Sequence, residues 1–199
     1  MFSVGFVDAV LSILTFQAKK IRQVGCGLYL LATSITSLLV ITTLAIKIYL
    51  LIISQMGLIT RRSLLLGHCI VMDFLVRVLL NVGDWLSACV CVERALTVHK
   101  GLNFDPAKSK RMSKFVIGFV YFFVVISALH EPFHRHLADD EEEQRIWCVV
   151  DYSPLVSVYN FVVLVFHFIV PFLINIIFSL LIMIQIGRAS CRERVCSTV

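Results

Sequence analysis

The chain has 199 residues, of which 59% are apolar and only 16% charged, with a formal net charge of +5. A soluble domain is usually about 45–50% apolar and about 25% charged. The excess here falls in blocks that are apolar all round, which argues against a soluble helical protein with polar helix faces. The positive charge sits mostly in the stretches between blocks, so it needs no nucleic-acid partner.

The first block, Phe2 to Phe16, carries Asp8 and has neither a basic leader nor a small-residue cleavage site, so it does not read as a signal peptide. It is short for a full crossing, which takes about 20 residues. It reads as the inner part of a first helix whose start lies upstream, with a short interfacial segment as the alternative. Four more blocks follow, at about Cys26–Ile53, Leu64–Val98, Phe115–Leu129 and Leu155–Ile184. Each should be a helix, because a helix satisfies all its backbone polar groups within lipid. The expected fold is an all-α transmembrane helix bundle without internal repeats.

Basic residues set the orientation. Lys19, Lys20 and Arg22 follow the first block, and Arg94, Lys100, Lys108, Lys110, Arg111 and Lys114 follow the third. Arg61 and Arg62 alone follow the second, and the acidic run Asp139 to Glu143 follows the fourth. The basic loops therefore face the cytoplasm and the N-terminus faces out. Of the seven cysteines, Cys69 and Cys148 fall on the outer, oxidising side and form the natural disulfide pair, with two free thiols as the alternative. Cys89 and Cys91 read as small apolar fillers rather than metal ligands.

The third block ends Cys91-Val92-Glu93-Arg94-Ala95, which resembles the Asp/Glu-Arg-Tyr motif closing the third helix of rhodopsin-like (class A) G-protein-coupled receptors. Cys69 lies 25 positions before Arg94, the spacing that the family has. At helical rise this is about 37 Å, enough to cross the bilayer. Cys148 falls in the second outer loop, as in the family. Pro171 resembles the helix-five proline, and Leu28-Tyr29-Leu30-Leu31-Ala32 the start of helix two. The likeness spans residues 5 to 185 and implies a partial seven-helix receptor, from the end of helix one through helix five. The departures are Ser37 for the helix-two aspartate, Ala9 for the helix-one asparagine, Ala95 for the motif's tyrosine, Ser179 for the inner tyrosine of helix five, and no tryptophan in helix four. They put the sodium site and part of the activation switch in doubt. The texture is closest to divergent invertebrate peptide receptors of the FMRFamide-receptor kind.

The resemblance implies a heterotrimeric G-protein partner at Glu93 and Arg94, with Glu93 holding the guanidinium in the inactive state. The bland alternative is a solvated pair at a helix end. The basic loop that follows can meet G-protein, anionic lipid headgroups, or both. Asp73 and Arg77 are four apart, share a helix face and can pair near the outer end. They read as ligand contacts or as a structural ion pair. Asp84 lies deeper and has no specific role. Val76 occupies the position where amine receptors carry an aspartate, which argues against a monoamine; the likeness to peptide receptors implies an extracellular peptide ligand. Lys47 can snorkel outward. The acidic run either attracts a basic peptide or is simply solvated. His167 faces a pocket or packs. Without a nucleophile–base pattern, a phosphate loop or a metal-ligand spacing, neither an enzyme nor a cofactor or metal is expected.

Residues 1–185 are expected to form the receptor domain in the plasma membrane. Ile186 to Val195 resembles the conceptual translation of a sequencing-library adapter, so residues 186–199 are expected to be non-native; a genuine basic tail with lipid-modified cysteines is the alternative. Two other functional classes stand beside the receptor fragment. A small transporter should show paired interrupted helices, and only Pro171 clearly interrupts a block. A four-crossing scaffold does not accommodate the fifth block. A truncated, non-signalling product differs from a fragment only at the nucleic-acid level.

Overall fold

A computed structural model describes residues 2–17, 24–56, 62–140 and 145–197. Five helices run in chain order: α1 (Phe2–Phe16), α2 (Gly25–Gln55), α3 (Arg62–Lys100), α4 (Pro106–Ala128) and α5 (Pro154–Ser197). Four helical stretches are long and apolar enough to cross a membrane: Gly25–Ser54, Arg62–Lys100, Pro106–His134 and Pro154–Gly187. α1 is apolar but shorter. The bundle is all-α apart from one hairpin. Lys19, Lys20, Arg22 and Arg61, used above for orientation, lie outside the described residues.

The helices carry local features that suit their sequences to their places. α2 carries several hydroxyls, and Thr33, Ser34, Thr36, Thr42 and Thr43 each donate to the backbone carbonyl four residues back, at 2.7–2.9 Å. The hydroxyls are thereby satisfied inside the helix rather than presented to hydrocarbon. α4 begins well before Phe115. Asp105 caps it, accepting from Ala107 N at 3.0 Å and Lys108 N at 3.2 Å, and Pro106 supplies the preset φ of a first helical residue. The basic residues after Asp105 therefore form the first turns of a helix and not a loop. Pro171 sits fully buried inside α5, which remains one helix through Ser197.

α3 is the central element and packs on α2, α4 and α5. Val78, Val82 and Leu86 of α3 meet Tyr29 of α2 and Val120, Val124 and Ala128 of α4 in one core. A hydroxyl pair, Thr36 Oγ1 and Tyr121 Oη at 2.7 Å, joins α2 to α4 beside it. Phe115, Phe119, Phe122 and Ile126 form an exposed row on α4, placed to meet lipid tails.

The segment between α4 and α5 departs from the expectation of a loop. A 3-10 turn, Glu131–His134, leads into β1 (Arg135–Asp140), which pairs antiparallel with β2 (Arg145–Val150). Leu137 stands opposite Cys148. Part of the acidic run is strand, since Asp139 and Asp140 close β1; Glu141, Glu142 and Glu143 lie outside the described residues.

Candidate functional site

The Cys69 end of α3, called outer here after the orientation expected from the sequence, is held covalently and ionically. Cys69 and Cys148 form a disulfide with Cα atoms 5.8 Å apart, tying α3 to β2. Around it five charged side chains make a chain of alternating sign. Lys47 of α2 pairs with Asp73 of α3; Asp73 Oδ2 accepts from Arg135 at 2.6 Å; Arg135 pairs with Glu131; and Glu131 Oε2 lies 3.0 Å from Arg77. Arg77 also donates to Asn160 Oδ1 of α5 at 2.6 Å, and His130 Nε2 lies 3.2 Å from the same oxygen. Glu131 is only 4% exposed. A buried carboxylate is tolerated when its cations are fixed around it, and here two arginines are. The cluster thus joins α2, α3, the hairpin and α5.

The expected Asp73–Arg77 pair is not made. Both residues lie on one face of α3 as the spacing requires, but Asp73 turns to Lys47 and Arg135, while Arg77 turns to Glu131 and Asn160. Partners fixed by the fold displace an exposed-helix pair that is worth only about 0.2–0.5 kcal/mol. Val76 is half-buried beside Arg77. A cleft of about 240 Å³ opens between α2, α3 and the hairpin, bordered by Lys47, His68, Asp73 and Trp147.

His167 does not reach that cleft. It is 1% exposed at mid-bundle. Trp85 Nε1 donates to its Nδ1 at 2.8 Å, which leaves Nε2 to carry the proton toward Ser127 Oγ at 2.8 Å, and that hydroxyl donates to Val124 O at 2.9 Å. Every polar atom of the neutral ring is used, and the chain clamps α3, α4 and α5 together. Phe123 and Phe166 pack around the same ring. His167 is therefore a packed histidine rather than a pocket residue.

The inner end differs. Glu93 does not hold Arg94: its carboxylate accepts from Ser109 Oγ of α4, and the same hydroxyl accepts from Gly25 N at 3.0 Å. Helix starts leave backbone N–H groups unpaired, and α2, whose preceding Val24 offers no cap, uses a serine from α4 instead. A Cβ at Gly25 would collide with Ser109 and Ser113 and stand 2.9 Å from Glu93 Oε1, so this approach needs glycine. Arg94 is exposed, and its guanidinium lies against the Cys26 thiol. Ala95, in place of the motif's tyrosine, is buried. A cavity of about 550 Å³ beside this end is bordered by Tyr29, Glu93, Lys100, Lys108 and Met112.

Sequence reasoning missed Glu131, Arg135, Asn160 and Ser109. Glu131 and Arg135 are an i,i+4 pair just past the fourth block, a signal that was present but outweighed by the reading of that stretch as loop. Asn160 and Ser109 carried no local signal, since their partners lie 83 and 84 positions away. Among the described residues no group of three or more metal-ligating side chains comes together.

The sequence matches the family described as 7 transmembrane receptor (rhodopsin family) over residues 8–195. No curated protein sequence matches the chain. The family is one of signalling receptors and not of enzymes, and it replaces the transporter and scaffold alternatives. With the match covering nearly the whole sequence, and with membrane-length helices packed around a central α3, this chain belongs to the rhodopsin family of seven-transmembrane receptors and presents part of their fold.

Proposed function

We propose that the chain is the ligand-receiving and G-protein-facing portion of a plasma-membrane receptor for an extracellular peptide, with its N-terminus outside. The observation that carries this reading is the two-ended character of α3. One end carries a disulfide and a connected cluster of charges beside an open cleft. The other end, 25 positions on, carries an exposed Arg94 among basic residues. Val76 speaks against a monoamine, because no carboxylate stands where an amine would be anchored. The finer likeness to receptors of the FMRFamide kind rests on sequence texture alone. A peptide gains differential affinity by contacting the outer cluster in one arrangement of the bundle more than in another.

The test is nucleotide exchange on a purified heterotrimeric G-protein, driven by the receptor in lipid nanodiscs against a synthetic peptide library. Peptide-evoked exchange is expected, with none from monoamines, and Arg94→Gln should abolish it while leaving peptide binding intact. Exchange that survives Arg94→Gln, or that only a monoamine evokes, contradicts the reading. The 199-residue chain by itself is expected to evoke none, because the family's sixth and seventh helices form much of both openings. Residues 186–199 are proposed to be non-native, although the family match itself runs on to residue 195. Sequencing the native transcript across Gln185 tests this: a frame that departs after Gln185 supports it, and one encoding Ile186 to Val199 overturns it.

A further inference from the structure

The alternating chain of charges has a cation at each end: Lys47, Asp73, Arg135, Glu131, Arg77. Three cations face two carboxylates, so the connected cluster carries a surplus of one positive charge. The Arg77 end is closed by the Asn160 amide oxygen of α5. The Lys47 end is not closed in the same way. Lys47 has three N–H donors, gives one to Asp73, and keeps its side chain 34% exposed on the border of the 240 Å³ cleft. A second observation points to the same place. His68 borders that cleft, and its Nε2 is shielded from solvent without a hydrogen-bond partner. A shielded polar atom left unpaired costs about 1–3 kcal/mol, and in the tautomer with the proton on Nε2 the partner it wants is an acceptor. The remaining walls, Leu50, Leu51, Leu65 and Trp147, are apolar or aromatic.

We propose that this cleft receives a carboxylate carried on an apolar body, the acid bridging Lys47 and His68 while the body lies against Trp147 and the leucines. The proposal rests on the receptor reading above and names the ligand chemistry of its outer site. The carboxylate would add the missing negative charge to the chain, extending its alternation by one member. A peptide amidated at its end, as the FMRFamide likeness would suggest, offers no such terminal group. The ligand is an acid: the free carboxyl end of a peptide or a small apolar acid.

The experiment uses the chain in nanodiscs with its lysines 13C-dimethylated, a change that keeps their charge. Lys47→Arg identifies the Lys47 resonance by deleting it. Four probes are titrated: N-acetylphenylalanine and acetyl-Ala-Ala-Phe, each as acid and as amide. Both acids, or either one, should shift the Lys47 resonance saturably and bind about tenfold or more tightly than the matching amide, the factor that one charged hydrogen bond carries. Tighter binding by the tripeptide acid assigns the group to a peptide terminus, and tighter binding by the single amino acid to a small acid. His68→Gln should weaken the acids several-fold while leaving the amides unchanged. Acids and amides acting alike, or no shift by any probe, overturns the proposal. No G-protein enters this measurement. An acid-specific shift in this chain, with no peptide-evoked exchange from the complete seven-helix receptor, overturns the receptor reading alone; exchange from that receptor without an acid-specific shift here overturns this proposal alone.

Discussion

The two ends of α3 are built on opposite plans. At the outer end a disulfide and a five-membered chain of charges join α2, α3, the hairpin and α5, so that most polar groups there answer to one another. At the inner end, among the described residues, Glu93 is spent on Ser109 and the start of α2, and Arg94 is left exposed. The outer end is a frame, and the inner end is the surface that the proposed function leaves for a partner. A fixed frame positions a ligand, whereas an end left for a partner can change arrangement at low cost.

The sharpest way to break the comparison is at Glu131. Glu131→Gln leaves Arg77 and Arg135 without their shared carboxylate, and should lower stability by about 3–5 kcal/mol, the range for breaking a buried ion pair. Thermal unfolding in detergent reads it. Cys148→Ser comes next. The bond closes a separation of 79 residues, and its loss should cost about 2–4 kcal/mol, measured by the same melt with and without reductant in the parent.

Much of this was legible in advance and some was not. The five helices follow from apolar blocks, because lipid leaves the backbone few alternatives. The pairing of Cys69 with Cys148 was legible too, and the bond is made. The start of α4 at Pro106 was misjudged because charges were weighed above the Asp-Pro signal of a helix start. The hairpin was missed because an acidic run hides strand character. The bonds of Asp73, Arg77 and Glu93 were misassigned to sequence neighbours, since i,i+4 and adjacent partners are visible in a sequence while partners brought by packing are not.

Smaller effects sharpen the contrast. Gly25→Ala would press a methyl group onto Ser109 and Ser113. Overpacking of this kind costs about 1–3 kcal/mol, and faster hydrogen exchange at the start of α2 should accompany it. His167→Phe removes the bonds to Trp85 and Ser127. Hydrogen bonds between membrane helices average about 0.6 kcal/mol each, so a loss of about 1 kcal/mol is expected. A double-mutant cycle with Trp85→Phe should recover roughly half of it as coupling.

The most direct test sets the two ends side by side: thermal unfolding of Arg94→Gln against Glu131→Gln in the same membrane mimic. If the inner end is a surface kept for a partner, Arg94→Gln stays within about 0.5 kcal/mol of the parent, as surface substitutions do, while Glu131→Gln falls far below it. Equal losses at both positions would mean that Arg94 is part of the frame, and would contradict the division of α3 into a fixed end and an open one.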